Sequence, residues 1–553
     1  MKQLIIIFLL ILTTGIGAET INVPEDYATI QGAIDVANEG DSVLVAPGTY
    51  YENIDFNGKG IMVCSWFATT MDTSYISQTV IDGNQSGSVV IFENQESILS
   101  LLSGFTLTNG SGSIILNGSN TAGGGIFIQE GSNPRLSNLI ISNNQSGFGG
   151  GICVIQSNPV MLDIEVLNNQ GIMNAGGIYL GGAEGYMDNV LIRNNNSNSG
   201  GGGIAIYNST IVIDSMIVEY NSAYGGGGGV TIGSRDLMSP CVISNLIVRS
   251  NTANYNGGGI YISDGIVVLE DSVIRDNLAA NWGGGIACES NFCTTLNNLE
   301  ISGNFAPDGA AILVNHFTDI NNCTITDNQG DSSIYLYFGI TGKILNTIIS
   351  DNDIDNEIYL YDEESRVHMA YSCLAGGEEG VAGDGFFYLE EGNTFNSPCF
   401  LNPLDCDYRL SSNSPCINSG TDYYHWFDWS EFNYEGDYYG TSPDMGCYEY
   451  GMVATDEFKI ENVKCKISNY PNPFNPETQI VFYLPEAEQV KLSVYNLKGQ
   501  LVKILVDNFL SAGNNKVVWD GRNKNGRKVS SGIYFVRLQS NTKRLMKKIM
   551  LMK

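Results

Sequence analysis

The sequence predicts an all-β protein in which a long parallel β-helix solenoid precedes a small β-sandwich. Three observations carry this prediction. A Gly-Gly-Gly-Ile motif recurs at a nearly fixed spacing, an alternating apolar run ending in Asn recurs between its copies, and the charge balance changes near residue 455. Residues 453–553 hold 17 Lys plus Arg against 8 acids, whereas the preceding residues hold 10 against 51. Two differently built regions are therefore expected.

Composition excludes several classes of function. The formal net charge of -32 argues against a nucleic-acid partner, because phosphate binding needs clustered Lys and Arg. With 43% hydrophobic residues the 553-residue chain can bury a large core, so it is not a disordered acidic polymer. After residue 18 no apolar run approaches the roughly 18 to 20 residues that a membrane helix needs, so no membrane span is expected.

The first 18 residues have the order of a secretory signal peptide. Lys2 precedes an apolar run over residues 4–12, and small residues up to Ala18 lead to Glu19. The sequence therefore predicts cleavage near Ala18 and an exported mature protein.

A short capping helix is predicted at the start of the solenoid. Between Thr29 and Asn38, apolar residues recur at helical spacing, with Thr29 as N-cap and Gly40 just past the end. Such a helix would cover the open end of a solenoid, which otherwise exposes core residues and unpaired strand edges.

The repeat has two parts. Spacings of 26, 26, 26, 26, 30, 26 and 26 residues separate the apolar residues that follow the glycine runs, at Ile126, Ile152, Ile178, Ile204, Val230, Ile260, Ile286 and Ile312. The second part ends in Asn144, Asn169, Asn195, Asn221, Asn251, Asn277, Asn304, Asn328 and Asn352. A unit of this length with two or three strands cannot bury its own apolar face, whereas coiling the units on one another buries a continuous core. The glycines are expected to permit tight turns, and the asparagines to hydrogen-bond along the solenoid axis.

Two stretches carry a resemblance to a known family. Residues 23–31 (VPEDYATIQ) and 40–50 (GDSVLVAPGTY) resemble the opening coil of right-handed parallel β-helix proteins of the pectin-lyase-like superfamily. Residues 407–410, 414–418 and 443–450, in an irregular Cys-containing closing segment, are similar to the end of its secreted bacterial members. The resemblance covers about residues 20–450 and implies a right-handed β-helix over residues 19–452.

After a linker over residues 453–467, residues 468–553 are predicted to form the β-sandwich. Alternating apolar runs are separated by Gly at turn positions. The motif residues are Pro471, Asn472, Pro473, Phe474, Asn475, Pro476, Gly499, Trp519, Asp520, Gly521, Ser531, Gly532 and Tyr534. This set is similar to the type A C-terminal sorting domain of the type IX secretion system. The similarity implies the type IX machinery as partner and a location that is secreted or attached to the outer surface. An ordinary ligand-binding sandwich is the alternative.

Because many pectin-lyase-like proteins act on acidic polysaccharides, the resemblance implies that the solenoid could carry catalytic residues. Elimination beside a uronic carboxylate would need a cation, and Arg249 and Arg275 lie in one predicted outward column. Since Glu219 interrupts that column after Arg193, the pattern is what a solvated charge ladder would give. Hydrolysis needs two carboxylates, for which Asp327 and Asp351 on successive coils are candidates.

The same two aspartates, with Asp353 and Asp355, could instead bind calcium through carboxylate oxygens, the one cofactor that the sequence suggests. The alternative is turn chemistry, because Asp276 also precedes an Asn of the repeat. No Gly-x-Ser-x-Gly or His-Glu-x-x-His motif is present. The Asp-Asp and Gly-His-Gly signatures of related hydrolases are also missing.

Aromatic residues are predicted at one outward position, directly after the first inward residue of the strand that follows each glycine run. They are Phe127, Tyr179, Tyr261, Tyr335 and Tyr359. Aromatic faces along a rigid rod could stack on sugar rings, or could instead pack under loops as ordinary strand residues. A second outward column is apolar and is either covered or adhesive; it holds Ile140, Leu191, Ile217, Ile247, Val273 and Ile348.

Taken together, these features favour a secreted or surface-attached β-helix that binds a glycan or another cell-surface ligand without catalysis. A polysaccharide lyase or hydrolase acting on acidic polysaccharide is the second hypothesis. A structural envelope protein is the third.

Overall fold

The computed structural model of the chain describes residues 18–115, 120–234, 241–290, 292–337, 339, 341–428, 430–434, 436, 438, 440–451, 467–470, 476–484, 488–496, 501–510, 513–540 and 544–551. Almost all of the predicted signal peptide and linker, with Pro471–Asn475 and Gly499 of the sorting motif, lie outside these residues. The chain divides into two compact units, one of residues 1–398 with 415–447 and the other of residues 399–414 with 448–553.

The first unit is a parallel β-solenoid of about 14 turns, which confirms the predicted fold class. Over the described residues its strands form sheets of 13, 23 and 8 strands, here called sheets 1, 2 and 3. Strands pair in parallel with their copies one coil away, as in Ile178↔Ile204 and Val190↔Met216, except that Ser113–Ile114 pairs antiparallel with Thr121–Ala122. The inward residues of sheets 1 and 2 form one continuous core along the solenoid.

The bounds of the strands follow the repeat. Sheet 1 contains Ile54–Asp55, Val90–Phe92, Ile126–Ile128, Ile152–Ile155, Ile178–Gly181, Ile204–Tyr207, Val230–Gly233, Ile260–Asp264, Ile286–Cys288, Ile312–Val314, Ser332–Leu336, Asn356–Leu360 and Val381–Gly383. Sheet 2 contains Thr20–Val23, Ser42–Val45, Gly48–Tyr51, Met62–Ser65, Thr79–Asp82, Leu101–Ser103, Thr106–Thr108, Arg135–Ser142, Val160–Leu167, Glu184–Arg193, Thr210–Ile213, Met216–Glu219, Cys241–Ser244, Leu246–Arg249, Val267–Arg275, Thr294–Ser302, Thr318–Asn321, Thr324–Thr326, Thr341–Leu345, Ile348–Ser350, Arg366–Ala370, Cys373–Leu374 and Phe386–Leu389. Sheet 3 contains Ser113–Ile114, Thr121–Ala122, Gln145–Phe148, Gln170–Asn174, Asn196–Ser197, Ser222–Ala223, Thr252–Ala253 and Leu278–Ala279.

The predicted capping helix is present as Ile30–Val36, with Thr29 as its N-cap. The Thr29 hydroxyl accepts a hydrogen bond from Gly32 N at 3.1 Å, and the Glu52 carboxylate accepts from Ile30 N at 3.0 Å. At the other end Lys59 Nζ donates to three carbonyl oxygens of residues 34, 35 and 37. Both ends of the helix therefore have partners of the charge that suits the helix dipole. Two shorter helices follow, Phe67–Thr70 and Ser74–Gln78.

The glycine runs mark a corner where the backbone turns sharply and neighbouring coils touch. Gly227 has φ +71, in the left-handed region that glycine tolerates best. A Cβ at the next residue, Gly228, would lie 2.4 Å from the carbonyl oxygen of Gly258 one coil away. The runs are thus explained by turn geometry and close packing of backbone.

The nine repeated asparagines form a buried ladder along the axis. Asn221 is representative: its backbone N and its Nδ2 donate to Asn251 Oδ1 at 2.9 and 3.0 Å. Its Nδ2 also donates to Ile192 O at 2.9 Å. The ladder ends at Asn352, whose Nδ2 donates to Glu357 Oε2 at 2.7 Å. Each amide therefore joins adjacent coils and leaves no orphaned group at a corner that water cannot reach.

Residues 415–447 pack onto the outer face of sheet 2 in the last coils. Lys343 Nζ lies 2.6 Å from Asp428 Oδ2, and Trp426 packs against Leu345 and Ala370. This segment contains the strands Tyr423–His425 and Glu431–Asn433, and Gly446 lies against Ile348. It therefore covers part of the apolar outward column.

The remainder of that apolar column differs along the solenoid. Val273 and Ile348 are buried, whereas Leu191, Ile217 and Ile247 are half-buried. The column is therefore covered at Val273 and Ile348 and only partly covered at Leu191, Ile217 and Ile247.

The second unit ends in two antiparallel sheets, which confirm the small C-terminal β-domain. One sheet contains Ile467–Tyr470, Thr478–Leu484 and Gly513–Trp519, and the other contains Glu488–Asn496, Leu501–Leu510, Gly532–Ser540 and Arg544–Leu551. Buried residues of both sheets, including Phe482, Trp519 and Val536, form one core. The two sheets are therefore the layers of a sandwich. A short strand pair, Phe400–Asn402 with Asp407–Leu410, also belongs to this unit.

Candidate functional site

The predicted aromatic column lies on sheet 1 in the expected register. Tyr335 pairs with Tyr359 on the next strand, and Phe127 and Tyr179 pair with Cys153 between them. Their accessibility differs along the column, because neighbouring side chains cover some positions and not others.

Phe127 cannot bind a ligand, since it is fully buried. It packs against Ala122 and Cys153, with Ile115 and Phe148 at the edge of the cluster. Phe148 comes from sheet 3, so side chains from the adjacent face close over this end of the column. The expectation of an exposed ring at Phe127 is therefore wrong. Tyr179 is half-buried beside Phe148, with ring centroids 5.3 Å apart.

Toward the C-terminal end of sheet 1, five aromatic residues form a continuous cluster, here called the aromatic wall. They are Trp282, Tyr335, Tyr337, Tyr359 and Tyr361. The rings of Tyr335 and Tyr359 are stacked at 5.2 Å, those of Tyr337 and Tyr361 lie 4.8 Å apart, and Trp282 lies 5.9 Å from Tyr337.

Strand alternation places these rings together. Tyr335 and Tyr337 are two residues apart, so both point outward, and Tyr359 and Tyr361 repeat the arrangement one coil later. The backbone N of Tyr361 donates to Leu336 O at 3.0 Å, which keeps the two coils in register beyond the strand end. On the preceding coils the column holds the smaller Ala287 and Leu313, so Trp282 extends across this part of the sheet.

Exposure in the wall increases toward its edges. Tyr335 is 9% exposed, whereas Trp282 is 36% and Tyr361 is 42% exposed. Two further exposed rings, Tyr224 and Tyr255, contact each other at 5.8 Å on earlier coils. Most of the accessible rings therefore lie outside the predicted aromatic column. The signal that could have identified two of them is the Tyr-x-Tyr pattern at residues 335–337 and 359–361.

Two acids lie among the rings. Glu289 accepts hydrogen bonds from the Tyr261 hydroxyl at 2.8 Å and from Asn256 Nδ2. Burial raises the pKa of Tyr261, so its hydroxyl stays protonated and keeps donating. Asp308 accepts a hydrogen bond from the side chain of Trp282. The pKa of Asp308 is raised first by burial and then by the charge of Asp331. The wall thus combines exposed π faces with carboxylates at their edges.

The candidate carboxylate pair has a structural explanation. Asp327 and Asp351 lie on successive coils as predicted, and Asp327 N donates to Asp351 O at 3.2 Å. Both have φ +57, and Asp276 in the same column has φ +56. They are therefore the residues at which the backbone bends just before the ladder asparagine. The bend needs a left-handed backbone conformation, which Asp tolerates better than most residues.

The predicted calcium site has no support in the described residues, where no group of three or more His, Cys, Asp or Glu side chains could hold a metal ion. Asp327, Asp351, Asp353 and Asp355 therefore do not form such a group. Asp353 and Asp355 are exposed on the segment that follows the ladder.

The candidate arginines form a charge ladder on the outer face of sheet 2. Glu219 is 1% exposed at its side chain and lies between Arg193 and Arg249, accepting from Arg249 Nε at 2.6 Å. Arg275 pairs with Arg249 on the next strand and is buried. The Arg249 guanidinium therefore neutralises Glu219, and the column is a charge ladder in which Glu219 and Arg275 are buried rather than solvated.

The described motif residues of the tail are structural elements of the sandwich. Trp519 is fully buried, donates Nε1 to Arg522 O at 3.0 Å and packs at 5.2 Å against Tyr534. Gly521 has φ +65, and a Cβ there would lie 3.0 Å from the carbonyl oxygen of Pro476. Asp520 accepts from Lys503 Nζ at 3.0 Å. Ser531 and Gly532 are exposed where the strand Gly532–Ser540 begins.

Comparison with known proteins agrees with this geometry. Residues 468–552 match the model of the secretion system C-terminal sorting domain. The tail is a type IX sorting domain. No curated protein matches the chain. Among solved structures, a short stretch is similar to PorZ, described as an essential bacterial surface component of the type IX secretion system of Porphyromonas gingivalis. The identity is 19% with a TM-score of 0.13, over 16% of this chain and 11% of that chain.

The sorting domain establishes the destination of the protein. It directs export through the type IX machinery to the cell surface or the extracellular space, as the sequence analysis predicted. Within the part of the chain that the structure describes, no helix is long and apolar enough to cross a membrane.

Proposed function

We propose that the exported solenoid is a non-catalytic glycan-binding protein whose ligand stacks on the aromatic wall. The observation that carries the proposal is the contact of three outward rings, Trp282, Tyr337 and Tyr361, at 5.9 and 4.8 Å on one face of a rigid rod. Sugar rings present apolar C–H faces that pack on aromatic π faces, and hydroxyls that bond to flanking polar groups.

The rigidity of the scaffold supports the proposal. Tyr335 and Tyr337 flank the inward residue Leu336, which is buried in the solenoid core, and adjacent strands fix the register. A platform held in this way loses little side-chain entropy on binding, so even modest stacking energies contribute to affinity. A surface-exposed protein also meets polysaccharides directly, either those of its own envelope or those of its surroundings.

Placement of the catalytic candidates favours binding over cleavage. Asp327 and Asp351 are turn residues of the repeat, and Arg249 is paired with Glu219. Neither set lies on the strands that carry the aromatic wall, since Arg249 belongs to sheet 2 and the aspartates precede the ladder.

The test is retention of the purified full-length chain on immobilised polysaccharides, together with an assay for new reducing or unsaturated ends. We expect retention without new ends. Trp282→Ala should weaken binding about fivefold, because a stacked ring contributes on the order of 1 kcal/mol and the wall would lose one of its exposed faces.

Trp66→Ala is the matched control. Trp66 is 40% exposed, close to the 36% of Trp282, and it also has one aromatic neighbour, Tyr75 at 5.8 Å. If the two variants bind equally well, the wall is not the binding site. New chain ends that disappear in Asp327→Asn would replace the proposal with a hydrolase.

A further inference from the structure

The charges around the aromatic wall are all of one sign. Besides His316, residues 250–362 contain only two basic residues, Arg275 and Lys343. Both belong to strands of sheet 2, Val267–Arg275 and Thr341–Leu345, and Lys343 is bonded to Asp428. No lysine or arginine therefore reaches the wall from these coils of sheet 1.

Of the acids, in contrast, Asp308 contacts a ring of the wall, and Glu289 contacts Tyr261, which packs in the same apolar cluster as Tyr335. Glu289 is bonded to the hydroxyl of Tyr261, and Asp308 is bonded to the side chain of Trp282. Burial and the charge of Asp331 raise the pKa of Asp308, so a negative charge at this position is unfavourable. A ligand that supplies a positive charge at this point would relieve that cost.

A uronic acid chain would do the opposite. Each of its carboxylates would approach Asp308 or Glu289 with no cation between them, and like charges at short range repel. A protonated amine, however, pairs with a carboxylate and is also attracted to the face of an aromatic ring. The surplus of acids in residues 1–452, 51 against 10 bases, would further steer a cationic chain toward the solenoid.

We infer that the ligand of the aromatic wall is a cationic aminoglycan, a chain of sugar rings that carries free amino groups. This inference rests on the proposed function and specifies its ligand class. The rings supply the stacking surface for the sugars, and Asp308 and Glu289 supply the negative charge that selects amines over carboxylates.

The experiment compares three hexasaccharides of equal length with the full-length chain at pH 6 by calorimetric titration. The probes are a glucosamine hexamer, which is cationic, an N-acetylglucosamine hexamer, which is neutral, and a galacturonate hexamer, which is anionic. At low salt the glucosamine hexamer should bind about tenfold more tightly than the neutral one, and the galacturonate hexamer should bind most weakly. At high salt the preference should shrink, because screening acts on charge and not on stacking.

Asp308→Asn keeps the shape of the side chain and an acceptor for Trp282, so it should reduce the amine preference to the part that Glu289 supplies while the neutral hexamer binds as before. Asp214→Asn is the matched control, since Asp214 accepts from Tyr186 but lies on the sheet 2 side of the solenoid. Thermal unfolding followed by circular dichroism checks that both variants are folded. Equal loss of preference in the two variants would overturn the role of Asp308.

The outcomes separate this inference from the proposed function. Equal affinity for the cationic and neutral hexamers, or tighter binding of galacturonate, overturns the amine preference and leaves glycan binding intact. Binding that is unaffected by Trp282→Ala, or no binding to any hexamer or immobilised polysaccharide, overturns the proposed function, and the inference fails with it.

Discussion

Replacing one ladder asparagine, Asn251→Leu, should destabilise the solenoid by about 4 kcal/mol. Asn251 is fully buried, and its Oδ1 accepts from Asn221 N at 2.9 Å and from Asn221 Nδ2 at 3.0 Å. Its Nδ2 donates to Asn277 Oδ1 at 3.0 Å and to Val218 O at 2.9 Å. Leucine has nearly the same volume but makes none of these four bonds.

The magnitude follows from the groups left without partners. Asn221 loses the acceptor of its backbone N–H and of one Nδ2 proton, and each orphaned buried donor costs about 1–3 kcal/mol. Two such donors give roughly 2–6 kcal/mol, which a buried leucine offsets only in part. The loss would be a large fraction of the about 5–15 kcal/mol that stabilises a typical domain.

Guanidinium unfolding followed by far-UV circular dichroism measures the loss, and amide hydrogen exchange at Asn221 locates it. Asn254→Leu is the control, because Asn254 lies three residues away and its side chain is exposed. That control should stay within about 0.5 kcal/mol of the wild type. The ladder would not stabilise the fold if Asn251→Leu matched the control and the Asn221 amide kept its protection.

Three further predictions concern the scaffold. Gly228→Ala should lower the free energy of unfolding by at least about 2 kcal/mol, because its Cβ would meet the backbone of the next coil. Gly131→Ala is the control: nothing lies within 4 Å of its Cβ, so its φ of +76 alone should cost about 1 kcal/mol. Equal melting temperatures of the two variants would contradict this prediction. Glu219→Gln should lower the free energy of unfolding by about 2 kcal/mol, because two adjacent arginines lose their carboxylate partner. Denaturant titration measures the loss, and Glu165→Gln, at an exposed position, should have little effect. Burial raises the pKa of Glu357 to about 7, so between about pH 4.5 and 7 the folded state keeps a proton that the unfolded state releases, and stability falls as pH rises through that window. The stability of Glu357→Gln relative to the wild type should therefore rise by up to about 3 kcal/mol between pH 4.5 and pH 8. A stability difference that stays constant over this range would exclude the pKa shift of Glu357.

The sequence was sufficient to predict the features that every coil repeats. The ladder asparagines, the glycine corner and the capping helix at Thr29 were all predicted from spacing and residue type. Each is determined by local backbone geometry or by contact with an identical copy one coil away, as in the bond from Asn221 to Asn251. Both partners of such a contact occupy equivalent positions of the repeat, so the contact can be predicted without information about distant parts of the chain.

Outward positions were less predictable because their neighbours differ from coil to coil. Phe127 and Tyr361 occupy outward positions of the same sheet, yet one is fully buried and the other is 42% exposed. Phe127 is covered from sheet 3, and Ile348 is covered by Gly446, which is almost a hundred residues further along the chain. Periodicity contains no information about such contacts, so a single column could not establish which rings are accessible.

The position of the aromatic wall follows from a departure from the repeat. The spacing of the inward residues shortens to 22 and 24 residues at Ile334 and Ile358, and the glycine run gives way to Ser332 and Ser333. Strand pairing places Tyr359 beside Tyr335 here, and the outward rings of these two coils stack on one another. Core packing constrains only the inward residues, which remain apolar throughout. Two outward tyrosines repeated on two adjacent coils contribute little to that core, and ligand binding is the property that such an arrangement can serve.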